Sequence, residues 1–459
     1  MKIIKTIFLF FLISTLSYSQ EKDSTAVFKK RVLESTEVDF LLSYYDQDGT
    51  HSAVSGGIGS EKLNDLATNI VVAMPLNDDD VLTVDLGLSA YSSASSSNIN
   101  PFDSQAPTPW QASSGASESD QLVSATVNYA HNSDDRNFIW NADVSFSNEY
   151  DYTSVGFGGG VTKLFNEKNT EVSVKANVYL DQWQPIYPKE LEQYAAFGAN
   201  FQNQGIFYGE TIWDQNGQPS KNYNPSKFSP VSAVNRNSYS VSFSFSQVLT
   251  KNFQFSVFFD VLQQQGLLSS PYHRTYFADK EHFYLGQPQH INDYTSSTNI
   301  GVYELADDIE RLPDTRFKLP IGARLNYYIN EHFIVRTYYR YYTDDWDLKA
   351  HTFNIEVPVK ISEKFTAYPM YRYYTQTQAK YFSPYQTHLS TEKYYTSDFD
   401  LSTFSANQYG FGVSYTDLFA KARIFSFGMK NIDFRFNHYI RSDGLTANIG
   451  TIGFKFVLQ

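Results

Sequence analysis

Residues 238–250 read SYSVSFSFSQVLT. Tyr239, Val241, Phe243 and Phe245 share one parity and Ser240, Ser242, Ser244 and Ser246 the other, the period of a strand with two unlike faces. In a soluble sandwich the apolar face would be the inside. Here the length and punctuation of the pattern point to the reverse, with apolar residues facing outward. Sixteen such runs can be placed, at about 37–47, 61–74, 81–91, 120–131, 137–148, 153–164, 169–181, 238–249, 253–264, 315–328, 332–344, 346–358, 364–376, 405–416, 431–441 and 445–458. Most have about 11 to 14 residues, whereas a soluble strand has about five or six and a tilted membrane strand needs about 9–11.

The connections alternate. PLNDDD, NSDDR, NEKN, LTKN, INEH and ISEK are short and polar, while 92–119, 182–237, 265–314 and 377–404 are long and rich in Ser, Asn, Pro and Tyr. Short turns at one end and long loops at the other, with both termini on the short side, are the signature of an outer-membrane barrel. The ending, GTIGFKFVLQ, carries Ile452, Phe454, Phe456 and Leu458 on one face, like the closing strand that the barrel-assembly machinery reads.

The start agrees with export. Lys2 and Lys5 precede an apolar run from Ile7 to about Leu16, followed by Ser17 and Ser19, which reads as a secretory signal peptide over 1–19. A short periplasmic segment, 20–36, and a barrel, 37–459, are expected after it. The chain has no cysteine, which removes disulfides, thiolate metal sites, covalent haem attachment and a lipid anchor on cysteine. After the leader no apolar run reaches about 18 residues, so a helical span is excluded. Aromatics make up 17% of the 459 residues, too many for a typical enzyme, and a net charge of −13 makes nucleic acid a poor partner.

The expected fold is therefore an all-β, transmembrane, antiparallel up-and-down barrel of about 16 strands, with short periplasmic turns and long extracellular loops. Fourteen or eighteen strands stay open, because 417–434 (DLFAKARIFSFGMKNIDF) is either an extended strand or a small extra element. Two loop stretches read as helical: YPKELEQYAAFG from 187, and GVYELADDIERLP from 301, where Val302, Leu305, Ile309 and Leu312 recur at helical spacing. Either could brace the loops or fold into the mouth and narrow it.

The first long loop and its flanks read YYDQDGTHSAVSGGIGSEKL, and LSAYSSASSSNI and SSGASESD follow. With Asp46, Asp48, Gly49, Ser52, Gly56, Gly57 and Glu61 in the first motif, the chain resembles the Bacteroidota barrel family catalogued as domain of unknown function 3570. It departs from that family at Glu118 and Ser119, where an arginine is usual. The resemblance implies an outer-membrane barrel whose genes neighbour those of flavin-attaching and thioredoxin-like envelope proteins.

Few residues invite chemistry. Asp46, Asp48, Gly49 and His51 fail the EF-hand spacing and read as a polar turn. His273, His282 and His290 share a loop with Asp279 and Glu281, but gaps of eight and nine residues match no compact ligand motif, so no metal is expected from them. No nucleophile has a placed base, so the chain is expected not to be an enzyme and to carry no cofactor.

The inward face is more informative. Strands one to nine, or their ends, contribute Asp39, Asp65, Asp85, Asp143, Glu149, Glu171 and Asp260, with Lys175 among them. Later strands contribute Arg316, Lys318, Arg324, Arg336, Arg340, Arg372, Arg435, Arg441 and Lys455, with Asp433 the main exception. In TYYRYYT the alternation sends Thr337, Tyr339 and Tyr341 outward and Tyr338, Arg340 and Tyr342 inward. An acidic wall facing a basic wall either sets a field across a wet lumen or pairs up across a filled one. The expected function is a porin-like channel for passive diffusion of small hydrophilic solutes. The alternative is a non-conducting scaffold docking envelope proteins, redox or flavin-linked ones among them. Expected partners are outer-membrane lipid and lipopolysaccharide, the barrel-assembly machinery, small polar solutes and, under the alternative, a periplasmic protein.

Overall fold

A computed structural model of the chain describes residues 30–92, 119–293, 302–417 and 419–458. The expected signal peptide, 1–19, and residues 93–99 of the SSASSSNI segment lie outside these residues. Sixteen long strands run in sequence around one closed antiparallel sheet. They are β1 (Glu37–Asp48), β2 (Leu63–Pro75), β3 (Asp80–Ser92), β4 (Ser119–Asn132), β5 (Phe138–Asn148), β6 (Tyr152–Phe165), β7 (Thr170–Trp183), β8 (Arg236–Thr250), β9 (Phe253–Gly266), β10 (Thr315–Tyr328), β11 (Ile334–Asp344), β12 (Lys349–Glu356), β13 (Phe365–Gln376), β14 (Phe404–Thr416), β15 (Phe427–Arg441) and β16 (Thr446–Leu458). The barrel closes where β1 pairs with β16, Phe40 opposite Phe454 and Gln47 opposite Ala447.

Two local departures have simple causes. β12 breaks at Val357–Pro358, since proline cannot donate to the ladder, and Val359–Lys360 resumes the pairing with β13. The open question at 417–434 resolves into a turn: Arg423–Ile424 folds back on Phe427–Gly428, the start of β15.

The faces are inverted relative to a soluble barrel. In β8, Tyr239, Val241 and Phe243 are exposed, while Ser238 and Ser240 are buried. The same exposed apolar parity recurs in Val127, Val144, Phe157, Phe259, Ile321, Phe353, Phe411 and Phe434. Many buried inward positions are polar, among them Asp65, Gln264, Gln408 and Asn437. Alternation supplies two unlike faces, because every strand residue must face one side or the other, and the closed sixteen-strand ring carries the apolar one outside.

Most of the apolar core is not in the barrel wall at all. Leu191, Tyr276, Ala306 and Ile309 form one buried cluster, and Phe201, Phe207, Ile212, Tyr223, Phe283 and Leu305 another, all in the long loops. These loops make a folded cap over one end of the barrel. A helix, α1 (Lys189–Phe197), forms where the sequence predicts one, stopped by Gly198. The second predicted helix does not form. Val302–Glu304 and Asp308–Ile309 are instead short strands, pairing with Tyr284–Gly286 and Arg274–Thr275. The helical spacing of Val302, Leu305 and Ile309 reflects burial on several sides: Val302 joins Tyr284 and Ile291, Leu305 joins Phe201, and Ile309 joins Leu191. Tertiary contacts override the local period.

Candidate functional site: a charged lumen beneath a folded cap

The strands position the inward charges by parity, and most find partners on neighbouring strands. On the first half, Asp65 accepts from Ser89 (2.6 Å) and Asp85 from Asn69 (2.6 Å). Lys175 on β7 reaches to 3.8 Å from Asp143 on β5, over β6. Glycine makes that reach possible: a Cβ at Gly158 would lie 2.4 Å from an Asp143 oxygen. Asp39 shares Lys455 with Glu37, at 3.6 and 2.7 Å. Glu171 accepts from Ser173 at 3.4 Å, Asp260 sits beside Ser242 and Arg340, and Glu149 is buried in the turn after β5.

On the second half the arginines are cross-braced. Arg336 and Arg435 both bind Glu356, at 3.0 and 2.9 Å, and Arg435 also holds Asp433 at 3.0 Å. Arg316 binds Asp344 at 2.5 Å, with its guanidinium 4.2 Å over the Trp346 ring. Arg324 lies over Phe258 and Tyr338, and Arg340 over Tyr342. Arg441 binds Asp400 and Asp443, each at 2.5 Å. Glu356 and Asp344 are inward acids that the parity reading passed over. Glu356 stands on the inward parity of β12 and was legible there; the role of Asp344 needed the geometry, since it ends β11 and accepts from Arg316, Tyr342, Trp346 and Leu348.

Two basic groups among the described residues are less fully answered. Lys318 is buried among Arg316, Arg236 and Arg340, with Asp344 the carboxylate answering the group. Arg372 is half-buried, and its Nε is buried with no hydrogen-bond partner among the described residues. Uncompensated positive charge enclosed in a barrel interior is what an anionic or strongly polar solute would neutralise.

The family motif builds the cap rather than a ligand site. Asp46 and Asp48 end β1, and the chain turns through a short helix, Ala53–Ser55, with Ser52 N–H and Gly57 N–H tying 52–59 into a tight loop. Glu61 accepts from His51 N–H at 2.8 Å and sits so close to Gly49 that a Cβ there would meet its carboxylate at 2.2 Å. Gly56 has φ +75 and presses on the Tyr276 ring, and Gly57 lies against Ser397 and Phe399. His51 stacks on Phe399, ring centroids 3.8 Å apart.

These contacts cross the mouth. β1–β2 and β9–β10 are eight strands apart in a ring of sixteen, so they stand on opposite walls. Yet Arg274, after β9, donates to Val54 O at 3.2 Å and pairs with Glu190, at the start of α1, at 2.8 Å. Lys227 donates to Ser390 O at 2.6 Å, and Arg311 and Tyr395 exchange backbone hydrogen bonds, binding the 377–403 loop to the others. The cap descends onto inward side chains as well: Gln376 donates to Asp400 O and Ser402 O, and Arg441 to Phe399 O.

Buried acids lie inside the cap. Burial pushes the Asp307 carboxyl up to about 7, although it accepts from Phe277 N–H at 2.9 Å. Burial, reinforced by Asp400, also raises Asp398. The three loop histidines do not come together. His282 faces Glu304 at 3.0 Å, His273 faces Glu310, and His290 belongs to a separate short helix.

A family model described as "Protein of unknown function (DUF3570)" matches residues 9–453. The chain belongs to that family. No curated protein matches the chain. Among solved structures it is similar to a "Bacterial polysaccharide outer membrane secretin", at 9% identity and TM-score 0.43, over 93% of this chain and 100% of that one. It is also similar to OccK2 (OpdF) of Pseudomonas aeruginosa in complex with glucuronate, at 7% identity and TM-score 0.38, over 94% and 98%. A TodX monoaromatic hydrocarbon channel mutant is similar at 9% identity and TM-score 0.35, over 93% and 90%. Likenesses this distant say nothing of a substrate for this DUF3570 member.

Proposed function

We propose that this chain is a porin-like outer-membrane channel for passive diffusion of small hydrophilic solutes. The short turns face the periplasm and the cap faces outward. The observation that carries the reading is the inverted barrel: sixteen strands, apolar outside, with a charged interior. A barrel of this strand number is wide enough to hold water. Lys318, standing among three arginines with Asp344 answering the group, and Arg372, whose Nε has no hydrogen-bond partner among the described residues, tilt the lumen toward anions. In a planar bilayer the purified protein gives stable conductance, and the triple change Arg336→Glu, Arg340→Glu and Arg372→Glu shifts the reversal potential toward cations. Silence at every voltage would end this reading.

One observation favours a second reading. The cap joins loops from opposite walls across the mouth, as a closed scaffold would require. A silent bilayer together with a stoichiometric periplasmic partner in pull-down would support a docking barrel instead.

A further inference from the structure

His273 and Glu310 lie on the loop after β9, and Asp398 lies on the loop after β13. Folding brings one ligand atom from each to within 4.8 Å of the others. We propose that these three side chains bind a divalent first-row transition ion of the Zn²⁺ class, which staples two cap loops together.

Four observations carry this. First, the His273 Nδ1 is buried, hydrogen-bonds nothing, and stands 3.6 Å from the Glu310 carboxylate, too far for a hydrogen bond and at a distance a metal ion could span. Second, the outer contacts orient the carboxylates. Glu310 accepts from Ser270 N–H at 2.6 Å and from the Thr396 hydroxyl, and Asp398 accepts from Asp400 N–H at 2.9 Å. Outer partners of this kind hold ligands in place at metal sites. Third, the two ligands on one loop are fixed to each other, since Glu310 N–H donates to His273 O at 2.9 Å. Fourth, the donor set is selective. One imidazole and two carboxylates suit Zn²⁺, Mn²⁺ or Fe²⁺, whereas Ca²⁺ prefers all-oxygen sites and Cu⁺ prefers sulfur.

Tetrahedral ligands at about 2.1 Å from Zn²⁺ are about 3.4 Å apart, so the site must contract by about 1 Å or somewhat more from its widest separation. Side-chain rotation supplies that. The competing arrangement is a simple His273–Glu310 ion pair. It leaves Asp398 outside the pair, whereas a cation engages all three. The three-ligand site keeps a position for water, and its effect is mechanical: Asp398 adjoins Phe399 and Asp400, which grip His51 and Arg441. Binding at this site would tighten the cap against both the first loop and the barrel wall.

The test uses the full barrel in detergent, stripped with chelator and titrated with Zn²⁺ by calorimetry at neutral pH. The expected result is one ion per chain, with at least tenfold weaker binding in His273→Gln and in Asp398→Asn. His290→Gln should bind as the wild type does. Zn²⁺ should also slow proteolysis of 267–293 and 377–403 in the wild type and not in His273→Gln. Heat-dependent gel mobility reports whether each variant keeps its barrel. If a variant fails to fold, the wild type still decides: no saturable binding at 100 μM Zn²⁺, or saturable binding without added protection of the two loops, overturns the proposal. So does full affinity in a folded Asp398→Asn or His273→Gln barrel.

Discussion

Replacing Gly56 with valine should unlatch the cap while leaving the barrel intact. Gly56 sits at φ +75, and a Cβ built there lies 2.6 Å from two carbons of the Tyr276 ring. The left-handed conformation costs a side-chain-bearing residue about 1–2 kcal/mol. Tyr276 cannot step aside, because it is 2% exposed and packed with Leu191, Ala306 and Ile309. Overpacking of such a site costs about 1–3 kcal/mol. Together these give about 2–5 kcal/mol, concentrated at the contact joining the loops of opposite walls. Hydrogen exchange measures it directly, since each 1.4 kcal/mol is about tenfold. Amides of 51–57 and 274–277 that exchange through cap opening should do so about 30- to 4000-fold faster, with those of β1 and β16 unchanged. Gly444→Val is the control, for Gly444 has φ +102 but nothing within 4 Å of its Cβ position. Exchange at 274–277 within twofold of wild type would refute the claim that this glycine holds the cap across the mouth. Under the channel reading, Gly56→Val should also raise conductance.

Three further outcomes follow from the geometry. The Asp307 carboxyl has its pKa raised from 3.8 to about 7 by burial, so the folded cap holds the proton that the unfolded chain releases. Cap stability then falls as pH rises from about 4 to about 7, by up to about 4 kcal/mol at about 1.4 kcal/mol per pH unit; Asp307→Asn should flatten protection factors compared at pH 5 and pH 8. Glu356→Gln removes the carboxylate shared by Arg336 and Arg435 and should move the reversal potential toward anions, a shift that would fail to occur if those groups stand off the ion path. Arg441→Leu gives up Asp400, Asp443 and Phe399 O, and faster cleavage within 377–403 at a cost of about 3 kcal/mol is expected, with unchanged cleavage counting against the tether.

The strands were legible because a barrel wall is written in a period of two. Every residue of β8 faces either the apolar outside or the polar inside, so thirteen consecutive residues suffice to set both faces. The cap was not legible in this way. In 302–313 the helical spacing predicts a helix, yet Val302, Leu305 and Ile309 are buried against three different clusters, Val302 and Ile309 in short strands and Leu305 between them. Loop residues buried on several sides carry no single period. The lumen falls between these cases: parity assigns Arg336, Arg435 and Glu356 to one wall, but not the role of Asp344, which ends β11 and accepts from Arg316.

By itself, then, the sequence determined a barrel of about sixteen strands, with fourteen or eighteen left open, the face each strand residue takes, and where the chain turns, because these are local consequences of alternation and of turn residues. Only the tertiary structure decided what the long loops do. It brought Gly56 against Tyr276 from the opposite wall, and it placed His273 beside Glu310 and Asp398 rather than beside His282 and His290. Contacts across a mouth eight strands wide depend on closure of the ring, which no stretch of chain encodes on its own.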